Sequence, residues 1–329
     1  MPINDTLRGA PALLLALLAA GFVASPGAAE PYPSRNIRIV IPGGPGTPPD
    51  IVPRVVANQV SETEGWRFVI ENRPGAIQTL AGSEVLKSPP DGYSIFAQAM
   101  PISSAPTMLA NMPFNLVTDF RPVARLSASY NVLVVNPSVP ANSVAELVAL
   151  IRSKPDKLTF SSGGAGTPAH LIGELFKLQN GLHATHVPYS TNFSNAIADL
   201  LNGTNQYMFI TTLPVIDLIA AGKLRALAVT APKRIAVLKD VPTVVEQGFP
   251  NLIVEEWTGL EVVSATPDDI VVRLNTAINN ALTTQKVKDA FAKIGAEPVG
   301  GTPESYGALV KQQVEYWGKV VKEAGIRPE

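Results

Sequence analysis

The chain contains no cysteine, and its only histidines are His170, His183 and His186. A disulfide framework, a thiolate nucleophile and a thiolate metal site are therefore excluded. Charge of either sign is not in excess: 26 Lys and Arg stand against 27 Asp and Glu, without a run of like charge. Nothing in that balance points to nucleic acid or to an anionic membrane surface. After the first thirty residues no apolar run approaches the roughly 20 residues that a membrane span requires. Catalytic signatures are missing as well. There is no Gly-x-Ser-x-Gly elbow, no Ser-x-x-Lys dyad and no Lys after a glycine loop in the Walker manner. His183 and His186 share an H-x-x-H spacing, but at a strand start rather than on a helix with a base between them. The residues thus give no catalytic group, no metal site and no cofactor motif, and the reading is non-enzymatic.

What is present begins with the N-terminus. Arg8 precedes the apolar run Leu13 to Ala20, and Ser25-Pro26-Gly27-Ala28-Ala29 supplies small residues at Gly27 and Ala29. This is the pattern of a cleaved export signal over 1–29, with the cut after Ala29. With no cysteine beside that cut to carry lipid, the expected location is free in a bacterial periplasm. The remaining chain, from a total of 329 residues with 46% hydrophobic content, can hold about two domains.

The stretch from Ile37 to Arg54 organises the rest. An apolar run, Ile37 to Ile41, is followed by Pro42-Gly43-Gly44-Pro45-Gly46 and then by Thr47-Pro48-Pro49-Asp50. The parse is strand, glycine loop, helix, with Thr47 as N-cap, Pro48 at the first helical position and Asp50 completing a capping box. Free amides at such a helix start can meet an anion. Thr-Pro by itself is only a helix starter, since it recurs at Thr167-Pro168, Thr266-Pro267 and Thr302-Pro303. Two of the four follow a small-residue loop. Those are Gly43 to Gly46 and Ser161-Ser162-Gly163-Gly164-Ala165-Gly166, which read either as ligand loops or as simple tight turns.

Strands alternate with helices through both halves. Expected strands are 67–71, 93–97, 131–136, 158–161, 186–189, 207–211, 224–230 and 257–263. Expected helices are 79–87, 143–151, 168–180 and 194–201, with two amphipathic helices closing the chain. Such alternation predicts parallel sheets whose ligands gather at the carboxyl ends of the strands. Pro49 and Pro53 remove amides from the first helix, which should distort it.

Taken together, Ile39-Val40-Ile41-Pro42 with Asp50 and Arg54, Glu71-Asn72-Arg73-Pro74-Gly75-Ala76, Pro90-Asp91-Gly92-Tyr93, Ser161-Ser162-Gly163 with Gly166-Thr167-Pro168 and His170, His186-Val187-Pro188-Tyr189, and Gly222 to Thr230 resemble the Bug family. These are periplasmic solute receptors of tripartite tricarboxylate transporters. The resemblance implies an α/β, two-lobed periplasmic-binding-protein fold of type II, a Venus flytrap with two crossing segments, near Tyr130 and near 251–257. Lobe 1 would be 30–130 and 252–329, and lobe 2 would be 131–251. It implies a monomer that holds a small carboxylated solute between its lobes and delivers it to integral-membrane transporter subunits. A sensory co-receptor docking on a signalling partner is the alternative, and a periplasmic enzyme on the same scaffold a third.

The resemblance also implies the site. Lobe 1 would contribute Gly46, Thr47 and Asp50, with the turn around Ala76 and Gln78 nearby, and lobe 2 would contribute Ser161, Ser162, Gly166, Thr167 and Tyr189. Asp50 and Thr167 are expected to grip the solute from opposite lobes. Gln98, just past the third strand, joins the set, and so does Gly43. The last stands where the family usually carries an aromatic, so it should open the cleft to a larger or aromatic carboxylate.

Overall fold

The structure is a computed structural model that describes residues 32–190 and 192–327; the expected signal peptide over 1–29 lies outside the described residues. No helix among them is long and apolar enough to cross a membrane. The first unit is β1 (Ile37–Ile41), α1 (Pro48–Glu64) and β2 (Phe68–Asn72), followed by α2 (Thr79–Leu86) and β3 (Ser94–Ala99). β1 lies between β2 and β3, parallel to both. The run Ile37 to Ile41 is almost wholly buried, as a strand covered on both faces must be.

A second set repeats the arrangement after α3 (Ala105–Met108) and the long β4 (Phe120–Val135). It comprises α4 (Val144–Ser153), β5 (Thr159–Ser162), α5 (Pro168–Asn180), β6 (Thr185–Pro188), α6 (Phe193–Asn202) and β7 (Tyr207–Thr211). β5 runs parallel to β6 and to β7. Ser143 caps α4 by accepting from Glu146 N at 3.1 Å, while the Glu146 carboxylate accepts from Asn142 N at 2.7 Å. That is the expected capping box with its return bond displaced by one residue.

β4 is common to both sets. Its first part, Phe120 to Tyr130, pairs antiparallel with β9 (Glu255–Val263), and its second part, Asn131 to Val135, lies between β7 and β8 (Arg225–Val229). With β10 (Ala296–Pro298) also on β4, the ten strands form one continuous hydrogen-bonded sheet. The sequence reading began this strand at Asn131, eleven residues late. Pro122 and the arginines at 121 and 125 mask its start, and the register shift between Pro122 and Ala124 is where the strand absorbs the proline.

Three helices close the chain rather than two: α8 (Asp268–Thr283), α9 (Gln285–Lys293) and α10 (Pro303–Ala324), after the short α7 (Ile216–Ala220). Thr284 ends α8 in an extended conformation and caps α9 by accepting from Val287 N, which divides what reads as one helix. The apolar stripe of α10 buries Tyr306, Val310, Trp317, Val320 and Val321. Tyr306 packs edge-on to Trp257 of β9, and Gly259 is required there. A Cβ on Gly259 would lie 2.1 Å from the Tyr306 ring. Burying aromatics of this size contributes about 2–3 kcal/mol each.

α1 is a single helix that passes through Pro53 without interruption. Pro48 and Pro49 occupy positions whose amides have no helical partner in any case, so the prolines do not break its start.

Candidate functional site

The two glycine loops adopt the same local geometry. In the first, Thr47 N and Thr47 Oγ1 both donate to Gly44 O, at 3.3 and 2.7 Å. In the second, Thr167 N and Thr167 Oγ1 both donate to Gly164 O, again at 3.3 and 2.7 Å. Neither threonine side chain accepts from its helix, so each hydroxyl tightens its loop instead of capping. Gly46 and Gly166 precede them with φ of +80° and +74°, the left-handed region that glycine enters without cost from a Cβ. Each glycine N–H is then taken by a side chain four residues on: Gly46 N donates to Asp50 Oδ2 at 3.0 Å, and Gly166 N to His170 Nδ1 at 3.2 Å.

Asp50 is therefore committed to the loop. Its Oδ1 accepts from Arg54 Nε and Asn72 Nδ2, both at 2.7 Å, and its Oδ2 from Gly46 N. Burial pushes its carboxyl upward, but the bonds from Asn72, Gly46 and Arg54 outweigh that and hold it below the usual carboxylate range. These three donors engage both oxygens, so the Asp50 carboxylate ties α1 to the first loop and to β2.

His170 stacks on His186, with ring centroids 4.0 Å apart and planes 9° from parallel. His186 Nε2 lies 2.6 Å from Ser162 Oγ, which in turn accepts from Gly164 N at 3.0 Å. Burial, with Lys177 adding repulsion, lowers His186 to about 4. His183 is exposed, so the H-x-x-H pair does not converge.

Between the loops lies a cavity of about 730 Å³. Its walls are the second loop from Gly163 to Ala169, the turn from Pro74 to Gln78, the start of α1, and the strand residues Asn131, Phe209, Thr211 and Glu256. Ile77, Leu109, Phe193 and Phe209 make much of it apolar, and no Lys, Arg or His is among the described lining residues. Four of the eleven expected residues line it: Thr47, Gln78, Gly166 and Thr167.

The other seven lie elsewhere. Gly46 and Asp50 shape the first loop from behind the lining. Ser161 and Ser162 are fully buried beneath the second loop. Tyr189 donates to Asp199 at 2.5 Å and accepts from Asn205 at 2.8 Å. Gln98 is fully buried on β3, where Glu261 and Tyr306 are its polar neighbours. Gly43 does not open the cleft: a Cβ there would sit 2.7 Å from Thr47 Oγ1 and 3.1 Å from Pro49 Cβ, so the start of α1 already fills that space.

The turn around Ala76 and Gln78, expected near the site, has a conformation that its own residues did not signal. Ala76, Ile77 and Gln78 have φ of +46°, +49° and +72°, three consecutive non-glycine residues in the left-handed region. A β-branched residue there is a true outlier, and each such residue costs about 1–2 kcal/mol. The surroundings impose it: Gln78 Oε1 accepts from Ala99 N at 3.0 Å, and Ile77 lies against Gly166, where a Cβ would meet its side chain at 3.2–3.4 Å. Gly75 was the one signal of an unusual turn. Glu256, also missed, carries no signal beyond being one of two adjacent acids in an apolar strand.

The helix starts differ in one respect that matters for an anion. α1 carries Pro48 and Pro49, whereas α5 carries Pro168 and then Ala169, which keeps its N–H and lines the cavity. Of the two helix starts, that of α5 is thus the one with a backbone N–H at its second position.

A family model described as tripartite tricarboxylate transporter family receptor, TctC, matches residues 52–326. Protein BugT of Bordetella pertussis is 31% identical over 312 residues, covering 94% of this chain and 95% of its own. Among solved structures, R. palustris Rpa4515 with adipate superimposes with a TM-score of 0.81 at 34% identity, covering 91% of this chain and 100% of that one. The periplasmic binding protein BugD gives a TM-score of 0.78 at 31% identity, with coverage of 91% and 100%. The fold is accordingly the α/β, two-lobed periplasmic-binding-protein type.

Proposed function

We propose that this chain, which belongs to the tripartite tricarboxylate transporter receptor family, captures a small organic carboxylate with an extended apolar body in the cavity between its two glycine loops. The observation that carries the reading is the composition of that cavity. A helix start with a usable amide at Ala169 faces apolar walls, with no basic side chain to supply a counter-charge. A carboxylate can be held there by oriented amides and hydroxyls alone. The size, about 730 Å³, falls in the range of small-molecule sites and admits a ligand larger than a compact tricarboxylate, an aromatic acid included. Adipate on the R. palustris relative is a ligand of that kind.

In this reading Thr47, Gln78, Gly166 and Thr167 face the solute. Gly43, Gly46, Asp50, Ser161, Ser162 and Tyr189 hold the loops that do so, and Gln98 is a core residue. Residues 30–130 and 252–329 would be one lobe and 131–251 the other, joined through β4 and the segment leading into β9. Export by residues 1–29 would deliver the receptor to the periplasm, where lobe closure lets integral-membrane subunits distinguish loaded from empty receptor. The test is a thermal-shift panel of mono-, di- and tricarboxylates, aromatic acids and amino acids. A ligand at a hundred times its dissociation constant adds about 2.7 kcal/mol, a rise of a few degrees. A rise confined to extended or aromatic carboxylates supports the reading, and a flat panel on folded, ligand-free protein contradicts it.

A further inference from the structure

Among the described residues that line the cavity, Glu256 is the only ionisable side chain. It stands on β9 opposite Ser129 of β4, next to Asn131, which lies where β4 passes from β9 to β7. The two acids at this point have opposite fates, as adjacent residues of a strand should. Glu255 pairs with Arg125 and accepts from Tyr130 at 3.2 Å. Glu256 forms no ion pair with a cation among the described residues. Asn131 Nδ2 donates to its Oε1, and Asn131 is itself buried.

We propose that Glu256 is the specificity-determining residue of this cavity, and that it holds the second carboxyl of a dicarboxylic ligand through a shared proton, so that binding takes up one proton from solution. The assignment rests on the receptor reading above, and deepens it by naming the ligand class as dicarboxylate. A dianion in this cavity meets amides and hydroxyls on one side but no cation among the described lining residues, and a Glu256 carboxylate would repel it. Protonated, the same group offers an O–H donor from the oxygen that Asn131 leaves unused.

Burial already raises its carboxyl to about 7, with the bond from Asn131 offsetting part of that, so the proton is available near neutrality. A ligand carboxylate beside it shifts the balance further toward the protonated form. The charged groups on the surrounding elements do not compete for that role. Asp50 and Arg54 of α1 are joined to each other, and Arg125 of β4 is joined to Glu255. Glu261 of β9 lies in the core beside Gln98, and Glu297 of β10 and Lys293 of α9 are exposed.

The experiment is calorimetric titration of the purified protein with adipate, hexanoate and 6-aminohexanoate from about pH 6 to 9. Each titration is run in two buffers of different ionisation enthalpy, which reports proton exchange in the unmodified protein. The expected result is adipate affinity that falls about tenfold per pH unit above about 7.5, with proton uptake small at pH 6, where Glu256 already carries its proton, and approaching one proton at pH 9. Hexanoate should show no such slope, and E256Q, whose amide is a permanent donor, should bind adipate without pH dependence. Adipate binding with no proton exchange, or a slope that persists in E256Q, overturns the assignment. So does 6-aminohexanoate binding more tightly as pH rises, which would make Glu256 an anionic partner for a cation. Failure of all three probes at every pH would overturn the receptor reading and this assignment with it; adipate binding without proton exchange overturns the assignment alone.

Discussion

Gly46 and Gly166 occupy equivalent places in two copies of one loop, so alanine at each makes a matched pair of perturbations. The backbone cost is shared. Both residues have φ near +75°, where an added Cβ costs about 1–2 kcal/mol. The surroundings differ. Nothing lies within 4 Å of a Cβ on Gly46, whereas one on Gly166 meets Ile77 Cδ1 at 3.2 Å, Cγ1 at 3.3 Å and Cγ2 at 3.4 Å. Gly46→Ala should therefore lower stability by about 1 kcal/mol, and Gly166→Ala by that amount plus the cost of displacing Ile77, which the 75–78 turn already holds in a strained conformation. Truncating the partner isolates the contact. In the double-mutant cycle of Gly166→Ala with Ile77→Ala, measured by urea unfolding, the coupling should be about 0.5–1 kcal/mol in the sense that Ile77→Ala relieves Gly166→Ala. The same cycle with Gly46→Ala should give a coupling near zero. Equal costs at the two glycines together with no coupling at Gly166 would refute the claim that the turn closes against the second loop.

Glu261 is buried on β9, and burial raises its carboxyl to about 8, with Gln98 opposing only in part. A folded-state value above the ordinary 4.5 means that this group's contribution is full below about pH 4.5 and is lost as pH rises through about 8. Glu261→Gln should match the native protein near pH 4.5 and exceed it by roughly 5 kcal/mol near pH 9, taking about 1.4 kcal/mol per tenfold change in proton affinity over the rise from 4.5 to about 8; urea midpoints across that range check it. Asp50 behaves oppositely. Its lowered value means stability that is present above the ordinary 3.8 and lost as pH falls through the folded value. Asp50→Asn should cost about 2–3 kcal/mol at pH 7, because an amide cannot accept from Arg54, Asn72 and Gly46 together. A denaturation midpoint within error of the native protein would remove Asp50 from its place as the keystone of the first loop.

The strands and helices of this chain were legible because local chemistry and tertiary structure agree. Apolar runs end in glycine or proline, and Thr47, Thr167 and Ser143 stand where helices begin. The side-chain partners were less legible. A capping box was expected between Thr47 and Asp50, yet Asp50 reaches past the N-cap to Gly46, because the Thr47 N–H that it would accept from is donated to Gly44 O. The glycines of the second loop were readable, but composition does not reveal that Ser161 and Ser162 are fully buried, that Ser162 is engaged by Gly164 and His186, or that Tyr189 is engaged by Asp199 and Asn205. Ile77 is the extreme case. Its own propensity argues against φ of +49°, and tertiary contacts, among them the bond from Ala99 N to Gln78 Oε1 and the packing on Gly166, hold it there. Glu255 and Glu256 are indistinguishable in sequence, and one strand alternation makes the first an ion pair and the second a cavity wall.

The central claim is that a carboxylate is held at the second glycine loop, in a cavity closed from the other side by the 75–78 turn. Determining a crystal structure after co-crystallisation with adipate tests it most directly. One adipate carboxylate is expected within hydrogen-bond distance of the 163–169 loop, with the methylene chain against Ile77 and Phe209. Adipate bound at any other surface, or electron density for it nowhere at saturating concentration, would contradict the account.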